Sequence, residues 1–362
     1  MPNQIRTFIA GTGSHIPEIE VINKDFMNHV FYGADKEVLS ETNEHTIQKF
    51  RDITEIDARK FVPDDLVTSD IGFFAAKAAL KSACFNAEFL NGIIVAHNFG
   101  DVTSNNRRSD TVPSLASRIK KKLEIENPNC IAEDILFGCP GWLQGVIHAD
   151  RFIRSGDMKT IMVIGAETLS RISDPHDRDS MIYADGAGAV ILRAHTLDDT
   201  IGILSHAVRS DTLQYSNLLA MKPSYNPDYP GNDLFLKMNG TKLYAYALNF
   251  VPGVVKDALD KAGLHLTDVS KVLIHQANAK MDYAILERIA KLYGLKTSDL
   301  PANIMPMTIH KFGNSSVATI PTLLDLLFKK QLPDHEINSG EIIVFASVGA
   351  GMNINAVVYR MP

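Results

Sequence analysis

The sequence predicts an α/β protein made of two similar halves, and three observations carry that prediction. Short apolar runs alternate with amphipathic helical patterns along the whole chain. Gly186-Ala187-Gly188 runs into the apolar stretch AVILRA, and Gly349-Ala350-Gly351 runs into MNINAVVYR. Residues 88–98, EFLNGIIVAHN, are echoed by residues 268–278, DVSKVLIHQAN: a polar helix end, a short apolar strand, then a His/Asn loop. The spacing of these echoes lies far above the roughly 20–50 residues of solenoid repeats, so they read as one duplicated unit. The halves are placed at 1–198 and 199–362.

Element by element, the strand-like runs of the first half are residues 5–10, 92–96, 131–137, 160–164 and 187–193. Those of the second half are 200–208, 272–274, 341–345 and 354–360. All are short, apolar and bounded by polar or Gly-containing segments, as buried strands are. A helix is expected over 69–83, with Ile71, Phe74, Ala75, Ala78 and Leu80 on one side, and residues 240–262 and 278–293 are patterned alike. Residues 18–50 are irregular and polar, an excursion from the first half. Residues 212–233, rich in Pro, Asn and Tyr and without periodicity, read as a connecting loop lying over the site.

Composition narrows the function classes. With 36 Lys+Arg against 42 Asp+Glu in 362 residues, the net charge is −6, which argues against a protein that coats nucleic acid. Cys84, Cys130 and Cys139 cannot build a disulfide framework, and no C-x-x-C pair suggests structural zinc. The first residues, MPNQIRTFIAGTGSHIPE, have too short an apolar core for a secretory signal. No stretch reaches the roughly 18 apolar residues of a membrane span. A soluble, cytoplasmic, thiol-reduced protein with no membrane partner is expected.

Three residues can carry chemistry. Cys139, in ILFGCPGW, stands where an apolar strand stops at Gly138 and Pro140 opens a helix as its first residue. A helix start offers free N–H groups and partial positive charge, which favour a thiolate and a depressed thiol pKa. Cys84 and Cys130 read as ordinary small apolar residues. His275 closes the apolar triplet Val272-Leu273-Ile274, at the strand end where open sheets place ligands. The other histidines, among them His15, His97, His148 and His310, read as structural. Asn314 follows Gly313 in a tight turn, with Ser315 and Ser316 placed to cap the next helix. Together they supply a nucleophile, a base or hydrogen-bond donor, and a neutral amide donor. Gly349-Ala350-Gly351 allows close backbone approach, so the N–H groups of Cys139 and Ala350 are a candidate oxyanion pair. A cysteine protease of papain type shares the Cys, His, Asn order. It is set aside because Cys139 lies mid-chain after a strand, without the local C-G-[SA]-C-W signature.

These stretches are the basis of a family resemblance. GTGSHIP (11–17), the Cys139 corner, SDPHDR and YADGAGAVIL (within 173–192), IHQAN (274–278), FGNSSVATIP (312–321) and GAG (349–351) fall in order along the chain. The sequence resembles the β-ketoacyl-acyl-carrier-protein synthase III group of the thiolase-like condensing enzymes. Asn314 stands where elongating synthases carry a second His, and the Gly-rich C-terminal loop of chalcone-synthase-like enzymes is unmatched. The resemblance implies a thiolase-like five-layered αβαβα fold from two pseudo-symmetric halves, in a homodimer. It implies that Cys139 takes an acyl group from a thioester and that His275 and Asn314 hold the carbonyl of a second one. A malonyl or β-ketoacyl nucleophile then attacks the acyl-Cys carbonyl in a Claisen condensation. Acyl-CoA and acyl carrier protein are the implied partners, with no metal and no permanently bound cofactor.

Departures from the family pattern bear on substrate. In IQKFRDITEIDAR, Lys49 and Ile53 occupy the places of a Trp and an Arg that stack on adenine, and Glu55 replaces a Gly. Arg178 and Asn278 match positions that contact the CoA or pantetheine arm. Val112 replaces the aromatic residue that limits the acyl pocket across the dimer, leaving room for a longer chain. The preceding loop, GDVTSNNRRSD, is long and carries Arg107-Arg108. Carrier proteins are acidic, and Lys280, Arg288 and Lys291 on the helix after His275 offer a basic docking face, interrupted by Asp282 and Glu287. Two roles compete within the class: priming fatty acid synthesis, or joining two acyl chains into a dialkylresorcinol or cyclohexanedione. A non-catalytic thiolase-fold partner subunit is the reading from another class, and retention of all three site residues argues against it.

Overall fold

In the computed structural model, residues 5–196 and 200–362 are described. The expected junction of the halves, between 198 and 199, lies outside the described residues. The main elements run β1 (Arg6–His15), α1 (Asn43–Thr54), α2 (Thr68–Ser82), β2 (Gly92–His97), α3 (Leu115–Lys122), β3 (Ile131–Leu136), α4 (Gly141–Arg154), β4 (Thr160–Thr168) and β5 (Asp185–His195). They continue as β6 (Gly202–Ser210), α5 (Gly240–Ala262), β7 (Val269–Ile274), α6 (Ala279–Leu292), α7 (Thr319–Phe328), β8 (Ile342–Gly349) and β9 (Asn353–Arg360). Every expected strand is present, usually a few residues longer at one end.

One sheet has the order β1-β5-β4-β2-β3 and the other β6-β9-β8-β7. In the first, β5 runs antiparallel to β1 and β4, while β4, β2 and β3 are parallel. The second repeats this pattern: β9 is antiparallel to β6 and β8, and β8 is parallel to β7. The topology therefore equates β2 with β7 and β5 with β9, the pairs that the sequence echoes link. In the second half, the edge beyond β7 is taken by irregular chain whose Ile304 carbonyl accepts from Val272 N–H.

Packing follows from which face of each helix is apolar. Helices α4 and α7 bury Trp142, Leu143, Val146, Ile320, Leu323 and Leu324 against both sheets, with Ile94 and Val163 on one side and Leu273 and Phe345 on the other. Helices α2 and α3 cover the outer face of the first sheet through Ile71, Ala75, Leu115 and Ile119. Helices α5 and α6 cover the outer face of the second through Val251, Val255, Ile285 and Ile289. The result is five layers, αβαβα, with a helical layer shared by both halves. Among the described residues, no helix is long and apolar enough to cross a membrane.

Two segments read as irregular carry regular structure. Residues 43–54 form α1, begun by the Thr42 hydroxyl accepting from His45 N–H and ended by Glu55 in the left-handed region at φ 59°. Within and beyond 212–233, Leu219–Lys222 pairs antiparallel with Phe235–Met238. This hairpin does lie over the site. It is anchored by Lys237, buried with its ammonium 2.6 Å from Asp174 and 2.8 Å from Asp177. Beside the strand ends, Arg59 is buried, donating to the carbonyls of Met181 and Val21 and to Asn23 Oδ1, and its guanidinium lies over the Phe26 and Phe50 rings. That side chain ties the 18–50 excursion to the rest of the first half.

Candidate active site

The parallel strands of both sheets end on the same side, where α/β sheets place their ligands. Asn98 follows β2, Cys139 follows β3, Glu167 closes β4, His275 follows β7, and Ala350 follows β8. Cys139, His275 and Asn314 line one cavity of about 230 Å³, together with Ser316 and Ala350. Asn98 and Tyr183 also line it, and its remaining walls are apolar, among them Leu169, Leu219, Met221, Leu236, Met238 and Leu243.

Two glycines let the Cys139 corner and the loop after β8 interlock. A Cβ on Gly349 would lie 2.5 Å from Cys139 N, and one on Gly138 would lie 2.7 Å from Ala350 N. Gly138 also adopts φ 66°, which favours glycine. Among the described residues, neither the Cys139 nor the Ala350 N–H is spent on a backbone carbonyl. The interlock brings the two amides together, the arrangement an oxyanion pair requires.

Pro140 is the residue before helix α4 rather than its first residue, so Cys139 stands one step further from the helix start than the sequence suggests. Burial outweighs the expected stabilisation of the thiolate. The Cys139 thiol is pushed up to about 11 by desolvation, with the Ser316 hydroxyl opposing the rise and the Glu167 carboxylate adding to it. The thiol is therefore protonated at physiological pH. His275 is 3% exposed, and burial lowers its pKa to about 4, so the imidazole is neutral at physiological pH. Its backbone N–H donates to the Ala346 carbonyl, and its buried Nδ1 has no partner.

Asn314 is clamped at both ends of its peptide, its N–H donating to Ile182 and its carbonyl accepting from Ala184. Its side-chain oxygen accepts from Ser316 N–H at 2.8 Å, which leaves the amide NH2 for the cavity. Ser315 and Ser316 do not cap α7: the helix starts after a short 3-10 turn with no side-chain cap. Ser316 Oγ instead donates to Cys139 Sγ at 3.5 Å. Gln276, in the motif after His275, accepts from Thr308 and Ile309 N–H and donates to the Pro306 carbonyl, holding the chain that leads to Asn314.

A second cavity of about 390 Å³ leads outward, sharing Asn314, Met238, Leu243, Ala277 and Met281 with the first. It is lined by Arg178 and Asn278, the residues matched to the pantetheine arm, and by Lys49 and Ile53, which stand at the adenine-stacking places of the family pattern. Asn278 also caps α6, its Oδ1 accepting from Met281 N–H. Asp179 lies in this channel too, its carboxyl raised to about 6 by burial and by neighbouring Asp177.

The remaining candidates stand apart. Val112 is 84% exposed and lines no part of this chain's cavity. Lys280, Arg288 and Lys291 are exposed on α6, but Arg288 is partly committed to the Leu248 carbonyl and Asn249. Asp282, expected to interrupt that face, is fully buried, and burial pushes its carboxyl well above the usual range. The sequence reading missed Asn98, Glu167, Ser316 and Gln276. The echo between IIVAHN and VLIHQAN was the one signal that pointed at Asn98. Among the described residues, no group of three or more His, Cys, Asp or Glu is arranged to hold a metal ion.

Comparison with known proteins identifies the family. Residues 134–212 match the family model for 3-oxoacyl-[acyl-carrier-protein] synthase III, and residues 259–361 match the model of its C-terminal domain. A β-ketoacyl-[acyl-carrier-protein] synthase III of Xanthomonas campestris pv. campestris is 30% identical over 364 residues, covering 99% of this chain and 100% of the relative. The crystal structure of the Aquifex aeolicus 3-oxoacyl-[acyl-carrier-protein] synthase III superimposes with TM-score 0.79 at 28% identity, over 98% of this chain and 99% of that one. The Thermus thermophilus enzyme of the same name gives TM-score 0.80 at 25% identity, over 98% and 99%.

Proposed function

This chain belongs to the β-ketoacyl-acyl-carrier-protein synthase III family of condensing acyltransferases, and from that premise we propose how its own residues divide the reaction. Cys139 Sγ attacks the carbonyl of an acyl thioester while the N–H groups of Cys139 and Ala350 receive the developing oxyanion. The carrier thiol leaves with a proton, and the acyl chain lies in the apolar cavity walled by the 219–238 hairpin. A second, carrier-bound malonyl or β-ketoacyl thioester then enters through the channel of Arg178 and Asn278. His275 and the Asn314 amide hold its carbonyl oxygen. With a malonyl donor, carbon dioxide leaves and its electron pair forms the enolate. The enolate carbon attacks the acyl-Cys carbonyl, and Cys139 departs as thiolate. A neutral imidazole suits this role, because it stabilises the enolate oxygen without offering a strong acid to the carbanion carbon. The observation that carries the reading is the meeting of Cys139, His275 and Asn314 around one cavity. It also argues against a non-catalytic partner subunit.

Partners follow from the same surfaces. Acyl carrier protein and acyl-CoA are the proposed thioester sources, with Lys280, Arg288 and Lys291 as the docking face. A homodimer is proposed on the exposed edge strand β3, where Ile131 and Leu136 face outward, and on exposed Val112 as the residue reaching a partner's acyl pocket. Three unpaired cysteines suit a reducing, cytoplasmic setting. Phe50 and Tyr244 are the aromatic side chains that line the outer channel. There Lys49 and Ile53 replace the Trp and Arg that stack on adenine in the family pattern, which favours carrier-bound donors over CoA. That favours, as a second reading, a ketosynthase of specialised metabolism joining two acyl chains.

The test is intact mass after incubation with an acyl-CoA series from acetyl to decanoyl, beside Cys139→Ala. An acetyl adduct that dominates and depends on Cys139 supports priming of fatty acid synthesis. Preference for longer chains supports the second reading. Absence of any adduct from CoA and carrier thioesters alike overturns the proposal.

A further inference from the structure

We propose that Asn98, held by the buried carboxylate of Glu167, is a positioning residue that clamps the Cys139 corner to Ser316 and so delivers the Ser316 hydroxyl to the nucleophile. The proposal rests on the reading of Cys139 as the acylated residue.

Every link of the clamp is a hydrogen bond. Glu167 Oε2 accepts from Asn98 N–H at 3.0 Å and from its amide Nδ2 at 2.6 Å. Asn98 Oδ1 accepts from Gly138 N–H at 3.0 Å, fixing the peptide just before Cys139. The same Nδ2 donates to Ser316 Oγ at 3.3 Å, and that hydroxyl donates to Cys139 Sγ at 3.5 Å. Ser316 also holds the Asn314 side chain through its N–H. One amide just after β2 therefore organises residues 40 and 218 positions away, and through Ser316 it serves both the acyl-accepting and the enolate-holding groups.

Glu167 is a costly way to hold an asparagine if stability is the only gain. It is fully buried, its Oε1 has no partner, and no Lys or Arg is among the groups that act on its charge. Desolvation and Asp185 raise its pKa to about 7, against the pull of His97 and the two Asn98 donors. Ser316 is likewise strained, a non-glycine residue at φ 53°. Strain and unpaired burial concentrated on one chain of contacts that ends at the nucleophile point to a device for orienting the thiol.

The chemistry is hydrogen-bond stabilisation of the sulfur as its proton leaves. A hydroxyl donor aimed at a developing thiolate is a charge-assisted bond, and the thiol here needs it because burial opposes ionisation. A carboxylate near the sulfur works against the thiolate electrostatically, so Glu167 acts through Asn98 and not through its charge.

The experiment is the pH–rate profile of Cys139 alkylation by iodoacetamide in the full chain, followed by mass at the Cys139 peptide. Sulfur displaces iodide, and the thiol proton goes to solvent, so no acyl substrate is involved. Asn98→Ala and Ser316→Ala are each expected to slow alkylation at pH 8 by about tenfold, and the double variant by no more than either alone. Glu167→Ala is expected to slow it similarly. Glu167→Gln removes the same charge but keeps an oxygen for Asn98, and is expected to react several-fold faster than the parent. Multiplying effects in the double variant, or Ala and Gln at 167 shifting the rate in the same direction, would overturn the proposal. Should Asn98→Ala fail to fold, the Glu167 pair decides alone. Failure of the parent chain to take an acyl group from any thioester would overturn the functional reading and leave the alkylation comparison intact.

Discussion

Gly349→Ala tests the interlock that creates the oxyanion pair. The added Cβ would sit 2.5 Å from Cys139 N, 2.7 Å from Pro140 Cδ and 3.0 Å from Cys139 Cβ. None of these atoms is the far end of a flexible side chain, so relief requires the two backbones to part by about 0.9 Å to reach ordinary contact at 3.4 Å. A displacement of that size at a reacting centre costs roughly 100-fold in rate, and losing one oxyanion donor costs about 100- to 1,000-fold. The acyl-transfer rate to Cys139 is therefore expected to fall by at least about 100-fold, measured by quench and intact mass over time. Stability should fall by only about 1–3 kcal/mol, the cost of overpacking. Gly253→Ala is the matched control. It lies within α5 with nothing within 4 Å of its new Cβ, and should stabilise the fold by about 0.5–1 kcal/mol without slowing acylation. If Gly349→Ala acylates within about threefold of the parent while Cys139 remains the adduct site, the oxyanion assignment fails.

Three further outcomes follow from other parts of the molecule. Lys237→Met strands Asp174 and Asp177 without their buried cation, and should cost about 3–5 kcal/mol by chemical denaturation and loosen the acyl-cavity wall. The folded His275 pKa near 4 lies below the unfolded 6.5, so the unfolded chain binds the extra proton between those values. Its contribution is full above about pH 6.5 and lost as pH falls toward 4. The parent should thus lose about 2 kcal/mol more than His275→Gln between pH 7 and pH 5 in paired urea melts. Lys280→Glu with Lys291→Glu should raise the half-saturating concentration of carrier-bound thioesters several-fold and leave CoA thioesters unaffected. The effect should shrink with added salt.

What the sequence made legible was whatever depends on local pattern. The parallel strands are short apolar runs ending in polar loops, and Cys139 and His275 each announce themselves at such an end, while Asn314 is marked by its Gly-Asn-Ser-Ser turn. Helix α1 was hidden because NEHTIQKFRDIT is polar on most positions, and it leaves Ile53 facing the channel instead of a core. Its order comes from tertiary contact, in which Phe50 packs under the Arg59 guanidinium. The 219–238 hairpin was hidden for a related reason. Its strands are separated by a loop without periodicity, and one of them carries a lysine whose charge is balanced only by Asp174 and Asp177, far away in sequence. A buried ion pair reads as two polar residues until both are placed.

The duplicated topology explains why the site draws on unlike residues from like places. β2 and β7 are equivalent strands; β2 ends in His97 and β7 is followed at once by His275, each with an Asn within the next three residues. Yet the equivalents have diverged in task. After β7, His275 is buried, neutral and faces the cavity with an unpartnered Nδ1. After β2, His97 is spent on Asp134 at 2.9 Å and on Gly100 N–H, bracing the loop, while Asn98 turns into the cavity. A motif comparison between the halves would have ranked His97 beside His275 as a candidate base. The hydrogen bonds separate them, because an imidazole with both nitrogens engaged has none left for a substrate. The two halves meet at Cys139, the first supplying the thiol with Asn98 and Glu167, the second supplying Ser316, His275 and Asn314.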